Sequence, residues 1–590
     1  MKYLTFALLA LASCSQQPPT VHVAGQATAA PRVEHCLHYV TGSRGPLCLH
    51  VLTEEQARHV GSHYVLRYEN GHAVSAQRQN GHGDPELDDN DEFDFSFRYD
   101  KELLVEVTAR DLDGNIRGRR SSDESHVSLV DEWGRPQFLG GQRFTKIVVE
   151  RDPAGLARRE HYFGPDGQPA LDEDGAYEAR YERDTAGAEL SACNFDAQGQ
   201  PMLDRFGVHC YRYKRNALEL IAEQLNYDIQ GKPIASLRGV SRTLHDYDAF
   251  GNLLHSSWSN APDLLYQSCA QQRMYHDGFG GMLGADCFDA NGAPEYWIMG
   301  HSSWRLTLDE HGREVEIRNY DGDGTATRVE VGYFRREQDR DSRGHVVVTR
   351  FFLEDGSPGQ TDGPAIIDNR YDARGLVLEA RYYDSERAPT TKRGCYALSW
   401  DYDLHRQLAS ERCLESNGRL RLGWDGAAIE RYEYDERGLL SKTRYFDREG
   451  LPVDTHDGYQ TELVRYDGTG RKLGAKLIKT DGRELELPRL RELSVRFSYS
   501  KAGVHSVSRE KALERIQAAR AEISAGRPFE EVLTRYAERS PPLRDPGDLG
   551  YLDTETFYQP AKLALRGIKL HELSEIVEIP YGFAFYQRTE

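Results

Sequence analysis

The chain is expected to be multidomain, a β-rich hairpin-repeat array followed by a small α+β domain, and three observations lead there. Glycines recur in pairs twelve residues apart, as in Gly155 and Gly167, Gly187 and Gly199, Gly280 and Gly292, Gly312 and Gly324, Gly344 and Gly356, Gly438 and Gly450, and Gly470 and Gly482. Cysteines fall into local couples, two of them placed evenly about a predicted turn. Past Pro488 the glycine rhythm stops and apolar residues take up helical spacing.

The chain opens with Lys2, an apolar run from Leu4 to Leu11, and then Leu11-Ala12-Ser13-Cys14. That run is too short to span a bilayer, and its flanks read as an export signal. It resembles the lipobox of bacterial lipoproteins, which implies that Cys14 is acylated and becomes the mature N-terminus. An ordinary signal peptide ending near a cysteine is the alternative. By the same resemblance, Ser15 after the cysteine implies the outer membrane, with the protein facing the periplasm or the surface. Gln16 to Pro31, rich in Gln, Pro, Thr and Ala, reads as a flexible tether. No later apolar run approaches the length of a membrane span. A net charge of -20 over 590 residues leaves no clustered basic footprint, so no nucleic-acid partner is expected.

From about Val33 to Val130 the repeat is poorly kept, although Leu103 to Val107 alternates like a strand. The block is expected to be a β-rich cap or divergent repeats. The acidic run Asp84 to Asp94 reads as a solvated loop.

The array unit is clearest in YDERGLLSKTRYFDREGLP, Tyr434 to Pro452. A first turn reads Asp435-x-x-Gly438 and a second Asp447-x-x-Gly450-x-Pro452. Glycine supplies the positive φ of a tight turn, and aspartate bonds the backbone two residues on. The β-prone stretch between the turns ends in aromatics, so each unit reads as a hairpin. One hairpin buries too little apolar surface to stand alone, hence neighbours must stack or join a larger sheet. The first-turn aspartates are Asp152, Asp184, Asp248, Asp277, Asp309, Asp341, Asp372, Asp403, Asp435 and Asp467, with Lys214 standing in once, at intervals of 29 to 34 residues. The pairs Tyr247-Asp248, Tyr371-Asp372, Tyr402-Asp403, Tyr434-Asp435 and Tyr466-Asp467 resemble the YD repeats of the Rhs family. That resemblance implies β-rich shells or extended sheets used as carriers or adhesion scaffolds. Asn319, Asp321, Asp323, Gly324 and Glu330 have the spacing of a calcium loop, but Gly324 is also a regular second-turn glycine, so no metal is expected.

Setting Cys14 aside leaves Cys36 with Cys48, Cys193 with Cys210, Cys269 with Cys287, and Cys395 with Cys413. Cys269 lies eight residues before Asp277 and Cys287 seven after Gly280; Cys395 lies eight before Asp403 and Cys413 seven after Arg406. Residues equally far from one turn face each other across a hairpin, within disulfide reach. Disulfides are expected in all four couples; metal binding is the competing reading, without CxxC or HxxxH spacing to support it.

After Pro488, Leu493, Val495, Phe497 and Tyr499 alternate as a strand. A helix is expected from about Ser508 to Gly526, with Leu513, Ile516, Arg520 and Ile523 on one face. Pro528 opens a second, whose stripe is Phe529, Val532, Leu533 and Tyr536. A loop, SPPLRDPGDLGYLD, and a final strand, Tyr581 to Thr589, complete the domain. Gly526-Arg-Pro-Phe529, Tyr536, Pro546-Gly-Asp-Leu-Gly-Tyr551, Leu573-Ser574 and Tyr581-Gly582-Phe583 together resemble the parvulin-type peptidyl-prolyl cis-trans isomerases. The resemblance implies a histidine on the first strand and another on the last, where this chain has Arg496 or Phe497, and Ala584. It places Arg539 at the family's central Cys or Asp, and Phe557, with Leu549 and Phe583, in an apolar proline pocket. These same residues could equally be ordinary core.

The boundaries are therefore a signal peptide at 1–13, a tether at 14–32, the N-terminal block at 33–139, the array at 140–486 and the C-terminal domain at 487–590. Catalytic residues stay open, substrate-binding candidates are Phe557, Leu549, Phe583, Arg539 and Arg496, and no cofactor is expected. Two functions compete. One is an exported, lipid-anchored isomerase or folding factor that grips proline-containing polypeptides. The other is a non-catalytic envelope scaffold or adhesion protein with a degenerate parvulin module.

Overall fold

In the computed structural model the described residues are 31–589 except 89, 124, 138–143, 173, 238, 260–268, 298–299, 330–331, 361–362, 469, 471, 486–488, 497–508, 537–547, 552–558, 566 and 580–581. Thirty-one strands make an antiparallel array, and a separate four-stranded sheet with helices lies at the C-terminal end of the chain. Two compact units divide the chain: one comprises the residues to Pro262 with Ala270–Asp286 and Leu306–Glu314, the other the remainder.

The expected hairpins are present and their turns are closed as the residue types require. At Asp435 the carboxylate Oδ1 accepts from the backbone N–H of Arg437 and of Leu439, both at 2.9 Å. Gly438 takes φ +80° and donates back to the Asp435 carbonyl. Strands Ile429–Tyr434 and Leu440–Phe446 pair in register until a bulge between Glu433 and Tyr434. The bulge re-aims the tyrosine. Its hydroxyl donates to the Leu408 carbonyl at 2.9 Å, in the preceding hairpin. Tyr247, Tyr371, Tyr402 and Tyr466 make the same bond to Ile221, Val346, Val377 and Leu440. The Tyr-Asp pair thus couples a turn-forming acid to a side chain that ties one hairpin to its predecessor. Arg183 and Arg215 occupy the tyrosine position in earlier repeats and donate to the carbonyls of Ala157 and Glu189.

One expected turn residue is corrected. Lys214 lies within strand Cys210–Arg215 and pairs with Glu223 at 2.7 Å. The turn is made by Asn216, whose amide oxygen accepts from Leu218 and Leu220 as aspartate does elsewhere, while Glu219 takes the positive φ of +69°. A third turn per repeat has no counterpart among the sequence expectations. It closes at glycines eight residues after the second-turn glycine, such as Gly175, Gly207, Gly426 and Gly458. Neighbouring third turns are joined by backbone bonds, Arg205 N–H to Asp174 O at 2.8 Å and His456 N–H to Asp425 O at 2.8 Å.

The array's turn chemistry already operates upstream of residue 140, at Asp111 to Gly114 and Asp131 to Gly134. Within the first unit the segment from Ser43 to Asp84 also runs over the first turns of later repeats. Ser43 N–H donates to the Gly155 carbonyl at 2.9 Å, Gly61 N–H to Asn252 Oδ1 at 2.9 Å, and Asn80 Nδ2 to the His311 carbonyl at 2.8 Å. His59 Nδ1 donates to the Gly278 carbonyl at 2.7 Å. Gly280 accommodates this approach, since a Cβ there would lie 2.2 Å from the Gly61 nitrogen. The block therefore combines divergent repeats with a cover over turns. Its acidic run is no free loop: Glu92 is buried against Arg120, and Asp88 caps the backbone of Asn90 and Glu92.

All four expected disulfides form, with Cα separations of 5.8 Å for Cys36–Cys48, 4.1 Å for Cys193–Cys210, and 5.2 Å for both Cys269–Cys287 and Cys395–Cys413. The calcium-like spacing is absorbed by the turn. Asn319 is buried and donates to the Phe334 carbonyl, Asp321 accepts from Tyr296, and Asp323 accepts from Thr325. Glu330 lies outside the described residues.

Candidate functional site in the C-terminal domain

The domain comprises β1 (Arg489–Arg496), α1 (Arg509–Ser524), α2 (Phe529–Tyr536), β2 (Asp548–Tyr551), α3 (Gln559–Leu565), β3 (Val577–Ile579) and β4 (Gly582–Arg588), with sheet order β2-β1-β4-β3. Both longer helices and the last strand stand where the apolar spacing predicts them; the first strand includes the expected Leu493 and Val495 but begins at Arg489, and the expected Phe497 and Tyr499 lie outside the described residues. The strand β2 within the expected loop, with α3 and β3, carries too few periodic residues to be read in advance.

Alternation along the two central strands gives each face its own core. Leu493 and Val495 of β1 and Phe583 and Phe585 of β4 pack on Ala512, Ile516 and Ala519 of α1 and on Phe529, Val532 and Leu533 of α2. Leu490, Ala584 and Tyr586 face the other way, onto Ala561 and Leu565 of α3 with Ile568 and Val577. Glu522 of α1 fixes α2 in place, taking bonds from Arg535 at 3.0 Å and from the Tyr536 hydroxyl at 2.9 Å. Burial, helped by that carboxylate, holds the Tyr536 hydroxyl above its ordinary pKa. Arg509 at the start of α1 forks onto Glu578 of β3 at 3.1 and 2.7 Å, which keeps the Glu578 carboxyl below its usual range.

β1 and β4 pair with Ser494 opposite Ala584, Val495 opposite Phe583 and Arg496 opposite Gly582. Ser494 therefore faces Ala584 and Arg496 faces Gly582, as antiparallel register sets cross-strand partners, while Phe497 lies outside the described residues. Ser574 of the Leu-Ser motif stitches the edge: its N–H donates to the Tyr586 carbonyl at 2.8 Å and its Oγ accepts from the Tyr586 N–H at 2.9 Å. Arg520 of α1 donates to the Ser574 carbonyl at 2.8 Å.

Of the candidate substrate contacts, Phe583 is only 4% exposed and belongs to the α1/α2 core, with the Arg509 guanidinium 5.3 Å from its ring centre. Leu549 lies on β2 and Arg496 at the end of β1. Phe557, Arg539, Phe497 and Cys14 lie outside the described residues.

Residues 497–590 match the Rotamase family, described as a PPIC-type PPIASE domain. The parvulin-type resemblance of the C-terminal domain is thereby borne out. No curated protein matches the chain. Among solved structures it is similar to TcdB2-TccC3 without its hypervariable C-terminal region, at 13% identity over 75% of this chain and 22% of that one, with a TM-score of 0.33. It is also similar to the Photorhabdus luminescens Tc holotoxin pore, at 13% identity over 74% and 24%, TM-score 0.25. A third similarity is to TbPIN1 in solution, at 24% identity over 18% of this chain and 98% of that one, TM-score 0.16. The chain thus spans about a fifth of the first of these.

Proposed function

We propose that this protein is an exported, lipid-anchored peptidyl-prolyl isomerase that grips proline-containing segments of exported polypeptides. The observation that carries the reading is the family match at residues 497–590, which takes in α1, α2, α3 and the strands β2, β3 and β4. Prolyl rotation needs no nucleophile. Its barrier of roughly 18–20 kcal/mol falls wherever a desolvated site favours the twisted amide. Ala584, where the resemblance implies a histidine on the last strand, is compatible with that chemistry, since no proton has to move. Export is supported by Lys2, the Leu4 to Leu11 run and Cys14, together with four disulfides of the kind that oxidising compartments sustain. The array would space the domain from the membrane or add a binding surface.

The second reading, a scaffold or adhesion protein with a non-catalytic module, draws on Arg496 or Phe497, and Ala584, which stand where the resemblance implies histidines. Isomerisation of a proline tetrapeptide by the full chain separates the two. Acceleration that rises with protein concentration and falls in Phe557→Ala supports the enzyme. No acceleration and no peptide binding leaves the scaffold. Anchoring is tested separately, by loss of acylation in Cys14→Ser.

A further inference from the structure

Cys193 and Cys210 face each other in register on the neighbouring strands Glu189–Phe195 and Cys210–Arg215. His209 immediately precedes the second cysteine and is 7% exposed. A ligand atom of this histidine and both sulfurs lie within 4.8 Å of one another, the one grouping of this kind among the described residues. Its ring is oriented from behind. Nδ1 donates to the Met202 carbonyl at 3.0 Å, and the Phe195 ring stands edge-on at 5.3 Å. A backbone carbonyl holding Nδ1–H leaves the lone pair on Nε2, the arrangement found in metal-ligating histidines. The other three disulfides have no such third ligand among the described residues.

We propose that Cys193, Cys210 and His209 form a second, redox-gated site: a disulfide when oxidised and, when reduced, a site of two sulfur ligands and one nitrogen ligand for a soft divalent cation such as zinc. A dithiol reductant, itself oxidised to its disulfide, delivers two electrons and two protons to the Cys193–Cys210 bond. The two resulting thiols give up their protons as the cation binds, each sulfur supplying an electron pair and neutral His209 Nε2 a third. Zinc–sulfur bonds of about 2.3 Å and zinc–nitrogen bonds of about 2.0–2.1 Å require ligand atoms a few ångströms apart, and the sulfurs need only separate across one strand pair. Cross-strand pairing keeps both cysteines in place after the covalent bond opens, because the register is set by the ladder on either side.

Cobalt titration of the reduced full chain under anaerobic conditions is the test, with cobalt as the spectroscopic probe and the oxidised chain as control. One equivalent of cobalt with thiolate-to-metal charge-transfer absorption is expected, displaced by zinc. His209→Ala should weaken binding by roughly tenfold or more while retaining the absorption, and Cys193→Ser should abolish the absorption. Backbone hydrogen exchange over 189–215 reports whether the ladder survives reduction. Overturning results are no charge-transfer band, equal binding by the oxidised chain, affinity unchanged in His209→Ala, or a ladder that opens on reduction.

Discussion

The hairpin array and the C-terminal domain are stabilised in different ways. In the repeats of 140–486, burial is scattered through small clusters such as Ala428, Ile429 and Phe446, or Val329, Tyr333 and Phe351, unlike the ten-residue cluster from Cys36 to Ala109 upstream of them. The array's order comes from hydrogen bonds repeated once per unit: an acid on its turn, a tyrosine or arginine on the preceding carbonyl, and a third turn on its neighbour. The C-terminal domain instead concentrates ten buried residues, from Leu493 to Phe585, between one sheet face and two helices. Damage to the array should therefore stay local, as expected of repeats that contact only their neighbours, whereas damage to the domain core should be felt throughout it.

The largest effect is expected from Phe585→Ala, a fully buried ring at the centre of the domain core. A loss of about 3–5 kcal/mol should unfold the domain while the array stays intact. Hydrogen exchange that rises over 489–588 and not over 429–478 checks it; a partial, local loss would erase the contrast.

A pH effect should come next. Burial, opposed by Arg183 and Arg215, pushes Glu189 up to about 7 from an ordinary 4.5. A raised folded pKa means that the stabilisation is fully present below about 4.5 and is lost as pH rises through 7. The melting temperature of the first unit should fall between pH 5 and 8.5, by the equivalent of about 2 kcal/mol, and much less in Glu189→Gln. Equal slopes in both proteins would remove Glu189 from the account.

Asp435→Ala should cost about 1–2 kcal/mol by freeing two turn amides, with faster exchange confined to 429–446. Spread of that change to distant repeats would show cooperativity that the nearest-neighbour picture lacks. The smallest effect is expected from Tyr434→Phe, about 1 kcal/mol, read as faster exchange where its hydroxyl meets the Leu408 carbonyl. If Tyr434→Phe proved as costly as Phe585→Ala, the division between hydrogen-bonded and packed regions would fail.

Much of the array was legible because its determinants are local. An Asp-x-x-Gly closes its own turn, and the evenly placed cysteines about Asp277 and Asp403 follow from hairpin symmetry. The Lys214 error shows the limit of that reading, since Asn216 with Glu219 does the same work with different letters. The third turn was not read: it leaves only a glycine eight residues on, and without a strand between it and the second turn there is no alternation to follow. In the C-terminal domain the helices were legible from their stripes, and the candidate site was not. Phe583 alternates as any half-buried strand residue does, and nothing in its neighbours says which face of the sheet the helices will cover.

By itself the sequence determined where the chain turns, which strands become hairpins and which cysteines pair, because each depends on residues within one or two turns of one another. Only the tertiary structure decided that Ser494 faces Ala584, that residues 43–84 cover the first turns of later repeats, and that His209 stands beside Cys193 as well as its sequence neighbour. Those are matters of register and long-range approach, settled when separate ladders and cores come together and carried by no single stretch of chain.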